Sequence, residues 1–178
     1  EESDFPHPSL FVDRRIDYLM NYLKDKNGTT QAFRFKNKVL KMKNKILKED
    51  GNYSELIDVY NEKLAKLGGD IIFYRNKYIE FIKTLTDKLH REITLSLDKF
   101  EIKYESCIAP DERYVMHKEY LKKLKKIKSK EIFERTSLFG IHREDIGFFI
   151  NGNSVREFAS QGQQRTVILI LRLCQAEY

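Results

Sequence analysis

Cysteine is scarce in this chain. The two present, Cys107 and Cys174, lie far apart. That excludes a disulfide framework and paired zinc spacing, and it fits a reducing cytosol. The four histidines, His7, His90, His117 and His142, are equally scattered, so no metal site is expected. No apolar run approaches the roughly 18 residues that cross a membrane. The longest runs only from Val167 to Leu171, so no membrane partner is expected and a cytoplasmic location is. The opening Glu1-Glu2-Ser3-Asp4 is acidic, which excludes a signal peptide, and lacks Met, so the true start is expected to have been removed. There is no internal repeat and no low-complexity segment. There is also no Gly-x-x-x-x-Gly-Lys-Ser/Thr loop of the kind that cradles phosphates.

What is present points to a folded, helix-rich chain. Its 178 residues are 34% charged and 41% hydrophobic. A chain of this length can bury a real core, and disordered chains carry fewer apolar residues. The net charge of +6 fits a polyanionic partner such as nucleic acid.

Periodicity lays out the elements. After Pro6 and Pro8 a helix is expected from about Asp13 to Lys24, then a loop from Asp25 to Thr30. Ala32, Phe35, Val39, Met42 and Ile46 are three or four residues apart and predict one helical stripe. Asp50-Gly51-Asn52 ends that helix, and Ser54 suits the N-cap of the next. From Ile57 to Ile93 eleven apolar positions step by three or four, predicting a helix of about eleven turns. Gly68-Gly69 interrupts it, with continuity and a possible kink expected. Tyr60, Tyr74 and Tyr78 follow the stripe and read as core.

Glu101 to Glu105 alternates with period two and reads as a strand. Pro110-Asp111 precedes a lysine-rich helix through Tyr120, Leu124 and Ile127. Ser137-Leu138-Phe139 reads as a short strand. Ile146 to Ile150, Asn151-Gly152 and Ser154-Val155 read as a hairpin on a type I′ turn. The last helix, after Ser160, is apolar around its circumference between Val167 and Leu171, so burial on more than one face is expected.

One start signal stands out. Ser160 and Gln163 have capping-box spacing, which needs no function at all. Gly162, however, sits in the first turn, where it weakens a helix but lets a phosphate approach the backbone. Gln161, Gln163 and Gln164 crowd polar groups at the same positive helix end.

The stretch Phe158-Ala159-Ser160-Gln161-Gly162-Gln163-Gln164-Arg165-Thr166 resembles the signature motif of RecF, a bacterial DNA-repair ATPase family of the SMC-like ABC class. Gly140-Ile141-His142-Arg143-Glu144-Asp145 resembles that family's Gly-Pro-His-Arg-Asp-Asp. Phe149-Ile150-Asn151-Gly152 and Val155-Arg156 lie where the family has a similar hairpin. Asp13-Arg14-Arg15-Ile16-Asp17 resembles an arginine-rich stretch near the start of the family's arm. Ile141 in place of Pro is expected to loosen the turn before His142, and Glu144 in place of Asp keeps the charge. The specific match covers about Leu138 to Leu173.

The resemblance implies an α+β, mainly α fold: an antiparallel helical arm with one very long helix, a small β portion, and a buried signature helix from an ABC-type ATPase head. It implies an arm or lid domain over 1–136, with a strand near 100–106, and a piece of head over 137–178. It implies a parent that binds ATP and Mg2+, dimerises through ATP, clamps DNA at single-strand/double-strand junctions or duplex, and meets a RecR-type mediator. Ser160, Gln161, Gly162, Gln163, Gln164 and Arg165 would face ATP held by the other subunit. With neither the phosphate loop nor a closing pair of acids after an apolar strand, this chain alone is expected to be inactive, with no catalytic residue and no bound nucleotide. Alternatives are a piece of another SMC-like ABC ATPase, or a non-enzymatic helical interaction module.

Two further groups are candidates. Lys36, Lys38, Lys41, Lys43, Lys45 and Lys48 decorate one helix. Lys118, Lys122, Lys123, Lys125, Lys126, Lys128 and Lys130 decorate another, with Glu119 the acid among them. The second cluster, Lys122, Lys123, Lys125 and Lys126 above all, reads as a DNA track; the plain alternative is a solvated face. His142-Arg143 could touch DNA or nucleotide, or dock the arm. Cys174 reads as a core thiol.

Overall fold

The computed structural model describes residues 29–51, 53–95 and 98–177. The expected helix from Asp13 to Lys24 and the arginine-rich stretch lie outside these residues. The first described helix, α1, spans Thr29–Lys48, so it begins inside the segment expected to be a loop. It contains no glycine or proline and stops just before Asp50-Gly51.

The buried face of α1 differs from the expected stripe. Lys36, Val39, Lys43 and Leu47 are buried, whereas Phe35 and Met42 are 52% and 45% exposed. The physical reason is an acid that the apolar pattern could not reveal. Lys43 Nζ donates to Glu131 Oε2 at 2.6 Å, with both side chains fully buried. Glu131 Oε1 accepts the Leu138 amide at 2.9 Å.

Helix α2 spans Ser54–Thr94, 41 residues, or about 60 Å at 1.5 Å per residue. It runs through Gly68-Gly69 without a break, as the long stripe predicts. The glycines form a packing notch. A Cβ at Gly68 would lie 2.5 Å from the Tyr120 ring, and one at Gly69 2.4 Å from the His117 ring. Asp70 then accepts from Arg113 and lies 2.7 Å from His117 Nε2.

Strand β1 covers Phe100–Glu105, and helix α3 covers Arg113–Glu134. Arg135 closes α3 in the left-handed region at φ 53°, its amide donating to the Glu131 and Ile132 carbonyls. Ser137 to Phe139 is not the strand expected from sequence. The Ser137 amide donates to Asn44 Oδ1 at 2.8 Å and the Leu138 amide to Glu131, so side chains take the donors a sheet would use.

After a 3-10 turn at Ile141–Arg143 come β2 (Asp145–Ile150), β3 (Asn153–Ser154), the single-turn α4 (Val155–Phe158) and α5 (Gln161–Glu177). The three strands form one antiparallel sheet in the order β1-β2-β3, with Phe100 opposite Ile150 and Glu105 opposite Asp145. Asn151 and Gly152 have φ of 50° and 81°, the left-handed pair that the Asn-Gly turn requires. Val155, expected in the hairpin, opens α4 instead.

By spatial compactness the chain forms two units. One holds α1, α2 up to residue 76, and 106–144; Ile57, Leu64, Ile71, Met116 and Leu124 fill its core. The other holds 77–105 and 145–177; Ile82, Ile102, Phe148, Val167 and Ile170 are buried there. A stacked row, His90 on Phe100 on Phe148, runs through the second. This grouping follows contact and cuts across a division in chain order at 136/137.

Candidate functional site

The signature segment begins where α4 ends. Ala159 is extended, its amide bonded back to the Val155 carbonyl at 3.3 Å. Ser160 then caps α5 reciprocally. The Gln163 amide donates to Ser160 Oγ at 3.2 Å, and the Ser160 amide donates to Gln163 Oε1 at 2.9 Å. The Gln164 amide donates to the Ser160 carbonyl at 2.9 Å. Ser160 thus takes two first-turn donors, and the Gln161 and Gly162 amides are the two it does not take. The cap also uses the Ser160 hydroxyl only as an acceptor, which keeps its own O–H as a donor.

Among the described residues nothing requires Gly162 to be glycine. A Cβ there would meet only Ser160 Oγ, at 3.8 Å, an ordinary contact. Gln164 has a local role instead: its amide nitrogen donates to the Ala159 and Val155 carbonyls at 3.2 and 3.5 Å, holding the turn that delivers Ser160. Ser160, Gln161, Gly162, Gln163 and Arg165 are exposed.

Behind this start, α5 buries Val167, Ile170, Leu171 and Cys174. The expected burial on more than one face does not hold. Leu169 and Leu173 are 48% and 39% exposed, and Phe158 before the helix 71%. Among the described residues α5 buries one side. Burial pushes the Cys174 thiol up to about 11, as suits a core thiol.

The other candidates lie in the other unit. His142 and Arg143 project from the 3-10 turn and are exposed, while Ile141 and Glu144 on either side are buried. The turn is not loosened by the missing proline. The Ile141 amide donates to the Tyr120 hydroxyl at 3.2 Å, a bond that proline could not make. Glu144 anchors the far side, accepting from Arg75 and, at 3.1 Å, from the Cys107 amide. Partial desolvation, with Lys36, Arg143 and Lys43 nearby, lowers His142 to about 4, although the residue as a whole keeps an exposed side.

Of the arm lysines, Lys36 and Lys43 are buried rather than decorating the surface. On α3, Lys122, Lys123, Lys125 and Lys126 are exposed. Lys122 lies 3.4 Å from Glu119, Lys123 bonds the Cys107 carbonyl, and Lys128 is 2.6 Å from Asp58. Sequence reasoning missed Glu131 and Arg75, and named Glu144 only as a motif position, because a charged residue that will be buried in a pair reads like any surface charge. Among the described residues no group of histidines, cysteines and acids could hold a metal ion, and no helix is long and apolar enough to cross a membrane.

No family model matches the chain. It is 38% identical over 143 residues to the DNA replication and repair protein RecF of Clostridium kluyveri, covering 79% of this chain and 39% of that protein. It is 33% identical over 172 residues to the protein of the same name from Clostridioides difficile, covering 95% of this chain and 43% of that one. The structure resembles that of the recombination mediator protein RecF-ATPrS in the RecFOR pathway, with TM-score 0.87 and 30% identity, covering 97% of this chain and 49% of that one. A RecF-ATP structure matches with TM-score 0.86. The chain spans about two fifths of the length of the curated relatives it matches.

Proposed function

We propose that this chain, RecF-like in sequence and fold, supplies the arm and the signature segment of an ATP-gated DNA-repair ATPase. In this reading the parent protein binds ATP with Mg2+ and works in the cytoplasm. ATP held by one subunit is closed over by Ser160, Gln161, Gly162, Gln163 and Arg165 of the other, with Gln164 supporting the turn. The γ-phosphate favours the closed homodimer, because only that state gains the contact, and hydrolysis releases it. The closed dimer clamps DNA and passes it to a RecR-type mediator. Residues 1–136 serve as arm and 137–178 as part of the head.

The observation that carries this reading is the start of α5. Its cap is complete without Gly162, which no packing among the described residues requires. The exposed Leu169, Leu173 and Phe158 weigh against a self-contained interaction module, whose last helix would be packed within the chain.

The test is Ser160→Ala in the full-length protein. Each of the two shared sites loses a hydrogen bond to a charged group, about 1.5–3 kcal/mol. ATP-driven dimer affinity should fall about a hundredfold or more, with nucleotide binding to each subunit retained. Light scattering that finds the ATP-dependent dimer unchanged refutes the reading.

A further inference from the structure

Helix α3 carries a pattern beyond its lysine count. Its inner face buries Met116, Tyr120, Leu124 and Glu131. On the opposite face Lys118, Lys122, Lys125 and Lys126 are exposed. At 3.6 residues per turn, Tyr114 and Phe133 fall with these lysines on roughly one third of the circumference. Tyr114 is 65% exposed and Phe133 83%. The fold gains almost nothing from either ring. The Lys118 ammonium sits 4.4 Å over the Tyr114 ring, so charge and aromatic face are already paired at one end.

We propose that this face of α3 is a track for single-stranded nucleic acid, with the lysines on successive backbone phosphates and Tyr114 and Phe133 stacking unpaired bases at its two ends. The proposal rests on the DNA-repair reading above and adds where, and in which form, the nucleic acid is held.

Charge selects a polyanion. From 118 to 130 there are seven lysines and one acid, Glu119. Lysines four residues apart stand about 6 Å apart along the axis, and the face from Tyr114 to Phe133 is about 28 Å long. A flexible single strand can follow such a line. A stiff duplex touches a straight helix over a shorter arc, and its stacked bases cannot offer their flat faces to side chains. An acidic peptide would use the lysines but has no ring partner for Tyr114 and Phe133. A membrane surface is disfavoured because the apolar side of α3 is already spent on the core.

The test is fluorescence anisotropy of the intact chain with a short oligothymidylate, the matching duplex, and an abasic backbone of equal length. Because Tyr114 and Phe133 are exposed, the double variant Tyr114→Ala/Phe133→Ala should fold normally, which circular dichroism checks. It should bind the single strand about tenfold more weakly or worse, and the abasic backbone within about twofold of the parent chain. Lys122→Gln/Lys126→Gln should weaken all three and reduce the salt slope for the single strand by about 1.4. Unchanged single-strand affinity in the folded aromatic variant overturns the proposal while sparing the DNA-repair reading. Duplex bound more tightly than single strand, and lost in the lysine variant, overturns it in favour of a duplex track. A parent chain that binds none of the three removes the track and counts against DNA contact by the arm as well.

Discussion

The two compact units differ in how they use buried charge. The unit containing α1 and α3 buries ionised side chains and pairs them: Lys43 with Glu131, Arg75 with Glu144. The unit containing α5 leaves Leu169, Leu173 and Phe158 exposed beside a complete helix cap. The first spends its buried charges on its own cohesion, since a buried charge without a partner is costly, and leaves Tyr114 and Phe133 of α3 outside its packing. The second keeps unusual features that its own packing does not use. Residues of the second kind are where an external ligand or partner is expected.

The largest effect should come from breaking that cohesion. Glu131→Ala strands the Lys43 ammonium, which burial already pulls to a lowered pKa even beside Glu131, and leaves the Leu138 amide without its acceptor. A loss of about 3–5 kcal/mol is expected. Leu169→Gln, on the exposed side of α5, should change stability by no more than about 0.5 kcal/mol. Urea unfolding of the intact chain compares them. Similar costs for the two would dissolve the contrast.

Two helical glycines sharpen the same comparison at smaller magnitude. Gly68→Ala drives a Cβ to 2.5 Å from the Tyr120 ring, and the overpacking should cost about 1–3 kcal/mol. Gly162→Ala meets only Ser160 Oγ at 3.8 Å. It should leave the chain as stable or up to about 1 kcal/mol more stable, yet impair ATP-driven dimerisation of the full-length protein. A Gly162→Ala chain that is clearly destabilised would show that this glycine, too, serves the fold.

Such pairs mark the limit of what sequence could tell. The long stripe gave α2 its full length, because forty residues of three-and-four spacing outweigh two glycines. Asn151-Gly152 gave the hairpin, since few other dipeptides tolerate two left-handed residues. Ser160 and Gln163 gave the cap. The stripe on α1 misled, because Phe35 and Met42 are apolar yet exposed, while Lys36 and Lys43 are charged yet buried. Burial of Lys43 depends on Glu131, 88 residues away. No local pattern encodes that distance. Ser137 to Phe139 misled for the same reason: the acceptors for its amides are the side chains of Asn44 and Glu131. At the candidate site the residue types were legible, but that Gln164 bonds backward and that a Cβ at Gly162 would meet only Ser160 Oγ was not.

The smallest effects are in the response to acid, and two of them lie in the cohesive unit. His142 is held near 4 when folded, against an ordinary 6.5. As pH falls below 6.5 the unfolded chain takes up a proton that the folded chain refuses until about 4, so stability declines across that window. Asp70 acts lower. Desolvation works to raise its pKa, but the bonds from Arg113 and His117 outweigh it and the net shift is downward from 3.8. Its stabilisation is present above 3.8 and is lost as pH falls through its lower folded value. Urea midpoints taken from pH 7 to pH 3 should therefore fall in two stages. His142→Gln should flatten the first stage and Asp70→Asn the second. Because His142 keeps an exposed side, water screens its stage below what burial alone would give. If His142→Gln and the parent chain run parallel between pH 6.5 and 4, the turn at Ile141–Arg143 is more open to water than its anchors, Tyr120 and Glu144, imply.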